Sequence, residues 1–308
     1  LTPKTEPVLS EVPDTVLADG LKQIQREVDS AFDAFLPVPA DSRARLVEAM
    51  RYGAIGGGKR VRPLLVVATA ELFGVDRDVA VRAGCALEAI HVYSLIHDDL
   101  PCMDDDDLRH GKLTLHKKFD EATAVLAGDS LHDLAFEILS DVETSGDPFT
   151  RAELILTLAK ASGMNGMAGG QMMDMMADDA DYDLHAITRL QQLKTGALLA
   201  ASVEVGAILG KVAPEGRAHL RAYARDIGLA FQIADDLLDH DGDEAKAGKA
   251  LRKDDEQGKQ TFVTLMGPEG AREQAKALSE QAVGHLASYG EDAALLRALA
   301  RYIVERDR

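Results

Sequence analysis

Apolar residues recur every three to four positions along nearly the whole chain, a repeat that restricts it to helices packed on helices. Leu17, Leu21, Ile24, Val28 and Phe32 form the first stripe, and Leu36-Pro37-Val38-Pro39 closes it. Comparable helical stretches are expected over 42–53, 61–73, 78–104, 121–141, 150–174, 184–209, 215–240, 269–286 and 291–305. Alternating Val/Ile/Thr segments are few, so the expected fold is all-α, a single large helical bundle around a central cavity. At 308 residues, 46% hydrophobic and with only 10 prolines, the chain can bury a large core, and no Pro/Gly/Ser-rich stretch divides it. One domain over 1–308 is expected, with a mobile lead over 1–14. Gly242, Gly248 and Gly258, set among many charges, predict a lid loop over 241–262.

Two aspartate-rich segments interrupt this pattern, each directly after an apolar stretch: Asp98-Asp99-Leu100-Pro101-Cys102-Met103-Asp104-Asp105-Asp106-Asp107 and Asp235-Asp236-Leu237-Leu238-Asp239. Carboxylates crowded onto the end of an apolar helix repel one another and resist ionisation unless a cation sits between them. Magnesium suits that place, because it takes hard oxygen ligands and leaves part of its shell to phosphate oxygens. In the second segment Asp235 and Asp239 are four apart, and Asp236 and Asp239 three apart, which puts them on one side of a helix. In the first, Asp98 and Asp105 are nearly eclipsed at roughly 100° per residue, whereas Asp98 and Asp104 would diverge by about 120°. Their convergence calls for a local bulge, which Pro101 makes available. A single acidic run reads as a solvated helix face; two runs with this spacing favour a cation site.

Lys plus Arg total 34 against 52 Asp plus Glu, a net charge of −18, so the overall field repels nucleic acid and anionic membranes. An anionic substrate must then be held by local Lys, Arg or metal. Cys85 and Cys102 form neither a disulfide framework nor a zinc cluster and suit a reducing compartment. No apolar run reaches the roughly 20 residues of a membrane span, and the opening Leu1-Thr2-Pro3-Lys4 lacks signal-peptide order. A cytoplasmic protein without a membrane span is expected.

Gly56-Gly57-Gly58-Lys59-Arg60-Val61-Arg62-Pro63 sets cations beside permissive backbone before a helix, as a phosphate site or as a turn with solvent-facing charges. His91 lies seven residues before Asp98 on the same helical stripe, as a hydrogen-bonded core residue or as part of the site. Lys194-Thr195-Gly196 and Phe231-Gln232 put polar groups inside apolar helices, where they need partners or serve as dipoles for a ligand. Met164, Met167, Met172, Met173, Met175 and Met176 read as core packing or as the wall of an adaptable apolar pocket.

The ordered set Gly-Gly-Lys-Arg-Val-Arg-Pro, His-Val-Tyr-Ser-Leu-Ile-His-Asp-Asp-Leu-Pro-Cys-Met-Asp-Asp-Asp-Asp-Leu-Arg, Lys-Thr-Gly-Ala-Leu and Phe-Gln-Ile-Ala-Asp-Asp-Leu-Leu-Asp closely resembles the trans-isoprenyl diphosphate synthases, or polyprenyl synthetases. The likeness runs over about residues 15–305 and is nearest to the bacterial farnesyl diphosphate synthases. It implies an isoprenoid synthase-like bundle, usually homodimeric, in which magnesium, or manganese in its place, bridges the diphosphate of an allylic substrate. By resemblance Asp98, Asp104, Asp235 and Asp239 face the metal. Lys59, Arg62 and His91 match positions that bind isopentenyl diphosphate; Arg109, Lys194, Lys259 and Lys249 match diphosphate contacts of the allylic partner. Thr195 and Gln232 match groups that stabilise the allylic cation.

Two departures stand out. The family usually has a second arginine after Arg109, where this chain has His110, and a largely neutral imidazole cannot reproduce a charged bidentate fork on isopentenyl diphosphate. After Lys259 the chain reads Gln260-Thr261-Phe262-Val263 in place of Ser/Ala-Thr-Tyr-Pro, with only local lid effects expected. Tyr93 and Ser94, five and four residues before Asp98, lie where the resemblance puts the floor of the product pocket. On an ideal helix Ser94 points with Asp98 and Tyr93 to the side, so geometry alone does not choose between them. The resemblance favours a fifteen-carbon product, with a geranylgeranyl diphosphate synthase as the nearest alternative. A terpene cyclase, an inactive partner subunit of another synthase and a cation-binding scaffold are the remaining readings.

Overall fold

Several helix starts in this chain are set by side chains that take up otherwise unpaired backbone amides. In the computed structural model, which describes residues 14–177, 182–241 and 260–305, Asp76 accepts from the amides of Asp78 and Val79, Asp120 from Thr123, Asp147 from Phe149, and Asp183 from Ala186. The helices are α1 (Asp14–Phe35), α2 (Ala44–Ala54), α3 (Val61–Glu71), α4 (Arg77–Asp98), the short α5 (Leu115–Lys118), α6 (Glu121–Ser140) and α7 (Pro148–Ser162). They continue with α8 (Met167–Met175), α9 (Leu184–Gln191), α10 (Ala197–Leu209), α11 (Ala218–Asp241), α12 (Phe262–His285) and α13 (Ala294–Glu305).

Three expected boundaries differ. The 78–104 stretch ends at Asp98, because the chain leaves the helix there and folds back. The 150–174 stretch is two helices parted around Gly166, where an added Cβ would lie 2.0 Å from the carbonyl oxygen of Ala161, so the close turn needs glycine. The last long helix starts at Phe262 instead of 269, because Thr261 and Thr264 form a reciprocal capping box, and it breaks at Gly267 (φ 74°) just before Pro268.

The core is organised around α4, whose buried residues include Ala83, Cys85, Ala86, Leu87 and Ile90, occupying most of its circumference. It packs against α3 on one flank and α6 on another, while α10 lies on α3 and α7, and α11 pairs with α12. Two helical segments, Arg77–Asp98 and Leu184–Leu209, are in fact long and apolar enough for a membrane span by length and composition. Their most apolar windows are 67% and 61% buried inside the fold, so that apolarity belongs to the core. The described residues contain one small two-stranded ribbon, β1 (Leu108–Arg109) and β2 (Lys112–Leu113), antiparallel with Arg109 opposite Lys112. Its two-residue turn has positive φ at both His110 (50°) and Gly111 (74°), the backbone of a type I′ hairpin. That turn fixes where Arg109 points.

Candidate active site

The first aspartate segment converges without a bulge. The amide of Asp104 donates to the carbonyl of Asp98 (2.8 Å) and that of Asp105 to Leu100 (3.2 Å), with Asp105 itself left-handed (φ 50°). This αL closure of the helix end wraps Asp104 back toward Asp98. Arg109, carried by the hairpin, grips the buried Asp99 carboxylate through Nε (2.7 Å) and Nη2 (2.6 Å). Burial pushes the Asp98 carboxyl up to about 6, with Asp104 and Asp99 adding to the shift and Lys194 and Arg109 opposing it.

Lys194 comes from the opposite side. The continuous helix over 184–209 contains a π-helical turn at Gln192–Gly196, which widens the helix at Lys194 and Thr195. A Cβ at Gly170 would lie 2.2 Å from the Lys194 amide nitrogen, so α8 reaches this turn only through glycine. Lys194 Nζ bonds Asp174 of α8 at 2.6 Å. Burial works against its charge, yet Asp174, Asp98 and Asp104 hold its pKa above the ordinary value. Thr195 Oγ1 donates to Gln232 Oε1 (3.1 Å), Gln232 Nε2 donates to Asp236 Oδ1 (3.1 Å), and Asp236 Oδ2 accepts from the first amide of α12, at Phe262 (3.0 Å). Asp236 is thereby used inside the protein, while Asp235 and Asp239 are partly exposed on α11.

A second cationic group lies beside the first. Burial pushes Arg62 down from its ordinary value against the pull of Glu88 and Asp235. His91 is driven well below the usual imidazole range by burial and by Arg62, Arg109, His110 and Arg60, so it is neutral at physiological pH. Lys59 is exposed, with its Nζ 5.6 Å from the Tyr302 ring centre. Tyr93 turns to α6, where its ring meets His132 edge-on at 5.3 Å, and it also meets His97 at 5.7 Å; His132 in turn contacts Phe136 at 5.0 Å. Ser94 Oγ donates back to the His91 carbonyl (2.8 Å). An open groove of about 970 Å³ between α1 and the start of α4 is lined by none of these residues.

A model of the family described as polyprenyl synthetase matches residues 43–299. The chain belongs to the polyprenyl synthetase family. It is 45% identical over 296 residues to the farnesyl diphosphate synthase of Escherichia coli (strain K12), covering 94% of this chain and 98% of that protein. It is 46% identical over 274 residues to geranylgeranyl pyrophosphate synthase 11, chloroplastic, of Arabidopsis thaliana, covering 87% of this chain and 77% of that one. The apo crystal structure of an FPP/GFPP synthase from Zymomonas mobilis aligns with a TM-score of 0.87 at 56% identity, over 95% of this chain and 100% of that one. The expectation of an all-α, isoprenoid synthase-like bundle is borne out.

Within this polyprenyl synthetase the structure brings Asp98, Asp104, Arg109 and Lys194 into one charged group, and Arg62, His91 and His110 into another that adjoins it through Arg109. Lys249, Lys259 and most of the expected lid over 241–262 lie outside the described residues, as does nearly all of the expected lead. Sequence reasoning missed Asp174, hidden in a methionine-rich run that reads as packing; the signal was a lone carboxylate between Met173 and Met175. It also passed over the supporting roles of Asp99 and Asp236, because a run of aspartates does not say which members turn inward.

Proposed function

We propose that this prenyltransferase joins isopentenyl diphosphate head-to-tail to dimethylallyl and then geranyl diphosphate, giving farnesyl diphosphate and diphosphate. The observation that supports the reading is a run of mutually interacting charges from Lys194 through Asp98, Arg109, His91 and Arg62 to Asp235, with acids for a metal and several cations for diphosphate oxygens. The Escherichia coli relative bears the name of that activity. The whole chain is read as one such unit.

Asp98, Asp104, Asp235 and Asp239 are proposed to hold magnesium, or manganese in its place. The donor set fits: all are hard carboxylate oxygens, and Asp98 is crowded by Asp99 and Asp104. Among the described residues no three His, Cys, Asp or Glu side chains are gathered closely enough to hold a metal ion by themselves. When bound, the metal neutralises charge on the departing diphosphate. Lys194 and Arg109, with Lys249 and Lys259, hold that diphosphate while the allylic C–O bond breaks and its electron pair leaves with oxygen. Thr195, with its proton committed to Gln232, turns hydroxyl lone pairs toward the resulting allylic cation, and carbonyls of the π-helical turn add their negative ends. Lys59, Arg62, His91 and His110 position isopentenyl diphosphate so that its double bond attacks the cation. The new carbon–carbon bond forms, and a proton then leaves to the released diphosphate. A homodimer is part of the proposal, supported by the exposed apolar Val125 and Leu126 on α6 and Phe149 and Leu156 on α7.

The test is diphosphate release from geranyl diphosphate with and without isopentenyl diphosphate. Release that requires isopentenyl diphosphate supports the proposal; equal release without it would point to a cyclase. A longer product is the second reading, favoured by the names of the Arabidopsis and Zymomonas relatives. Tyr93 decides between them if its packing on His132 closes the pocket: Tyr93→Ala should shift most product to at least one further isoprene unit. Unchanged length on chromatography would give the floor to another side chain. His110→Arg should lower KM for isopentenyl diphosphate about tenfold, since a charge-assisted hydrogen bond contributes roughly 1.5–3 kcal/mol. An unimproved KM would show that His110 already serves.

A further inference from the structure

The 56–62 loop is held in an unusual shape by charges that lie behind it. Gly56 (φ 73°), Gly58 (φ 70°) and Arg60 (φ 55°) alternate in the left-handed region, and Arg60 has no glycine freedom to excuse it. Its side chain is 2% exposed. Nη1 donates to Glu88 Oε1 (2.8 Å), while Nη2 donates to Asp29 Oδ1 (2.8 Å) and to the Ala54 carbonyl (2.5 Å). Asp29 Oδ1 also accepts from the Gly56 amide (3.2 Å), so one carboxylate ties both ends of the loop.

Glu88 is buried as well, 3% exposed on α4 and one turn before His91. A Cβ on Gly58 would stand 3.9 Å from its Oε1, so the loop passes directly over it. Its second oxygen, Oε2, is buried without a hydrogen-bond partner, as are Nε of Arg60 and Nε of Arg62. Arg62 lies within electrostatic reach of Glu88. Buried polar groups left unpaired persist where the surrounding structure over-determines them, and here they gather at the base of the loop that carries Lys59 and Arg62.

We propose that Glu88 is a positioning residue for the isopentenyl diphosphate site: through Arg60 it locks the 56–62 loop so that Lys59 and Arg62 are presented to the substrate. The inference rests on the functional reading above. Preorganised cations bind without the entropy of ordering a loop, so loss of the lock falls on the affinity for one substrate and spares the other.

The test measures KM for isopentenyl diphosphate, KM for the allylic diphosphate and kcat, with a thermal melt of each variant. Glu88→Ala is expected to raise KM for isopentenyl diphosphate about tenfold or more, with the allylic KM changed by less than about twofold. Glu88→Gln, which keeps an acceptor for Arg60, should recover most of that loss. Asp29→Ala loosens the same lock from a more exposed position and should give the same split more weakly; it decides the matter if Glu88→Ala does not fold. Equal rises in both KM values, or a glutamine variant as poor as alanine, would overturn the proposal. Failure of the wild-type protein to consume isopentenyl diphosphate would instead sink the functional reading, a distinct result.

Discussion

Replacing Asp98 with asparagine is expected to lower turnover by about three orders of magnitude while making the metal-free protein more stable. The first effect follows from removing a proposed metal-facing carboxylate at the centre of the site. The second follows from the raised acidity constant. Asp98 titrates at about 6 in the folded protein because burial, Asp104 and Asp99 disfavour its charge. An unfolded Asp titrates near ~3.9, so the folded protein binds the extra proton between these values, and stability falls as pH rises through that window. Above about pH 6 the full penalty, about 3 kcal/mol from a shift of roughly two units, is present. Asparagine removes it. In chelator at neutral pH the variant should melt roughly 5 °C higher, and the wild-type advantage of acidification from about pH 6 to 4 should be smaller in it, Asp99 being the other carboxyl that burial raises. An equal or lower melting temperature in the variant would contradict this account of the site.

Lys194→Met should act in the opposite direction on stability and in the same direction on rate. Lys194 balances Asp174 directly and Asp98 and Asp104 at longer range, so its loss leaves three carboxylates without that counter-charge. Breaking a fully buried pair by removing one partner costs roughly 3–5 kcal/mol; here the side chains remain 28% and 20% exposed, and about 2 kcal/mol is expected. Turnover should fall by about 100-fold or more, because a cation proposed to hold the departing diphosphate is lost. Thermal melts and steady-state kinetics of the two variants read both signs together. Destabilisation by Lys194→Met with turnover retained would mark Lys194 as structural alone.

Much of this was legible in the sequence, for identifiable reasons. Helices repeat at a fixed period, so stripes such as Leu17, Leu21, Ile24 and Val28 declare themselves, and three of these four are buried. The all-α class and family followed from motifs whose order is hard to reach by accident. What escaped was long-range or local in ways periodicity does not encode. The bulge expected at Pro101 is a helix end, because the chain closes by an amide-to-carbonyl bond from Asp104 to Asp98. The π-helical turn at Lys194 leaves the apolar repeat intact, so nothing in the spacing announces it. Tyr93, sideways on an ideal helix, turns out to meet His132 and His97, and only the packing of α6 on α4 reveals that. Arg60 looked like one more surface cation in a basic run, whereas it is buried and triply bonded.

The most direct test of the account is to incubate the purified protein with magnesium, labelled isopentenyl diphosphate and, separately, dimethylallyl, geranyl or farnesyl diphosphate, then resolve the dephosphorylated products by length. The account predicts accumulation at fifteen carbons from the first two and no extension of farnesyl diphosphate. Extension of farnesyl diphosphate to twenty carbons or more would contradict the assigned product, and the absence of any product would contradict the assigned chemistry.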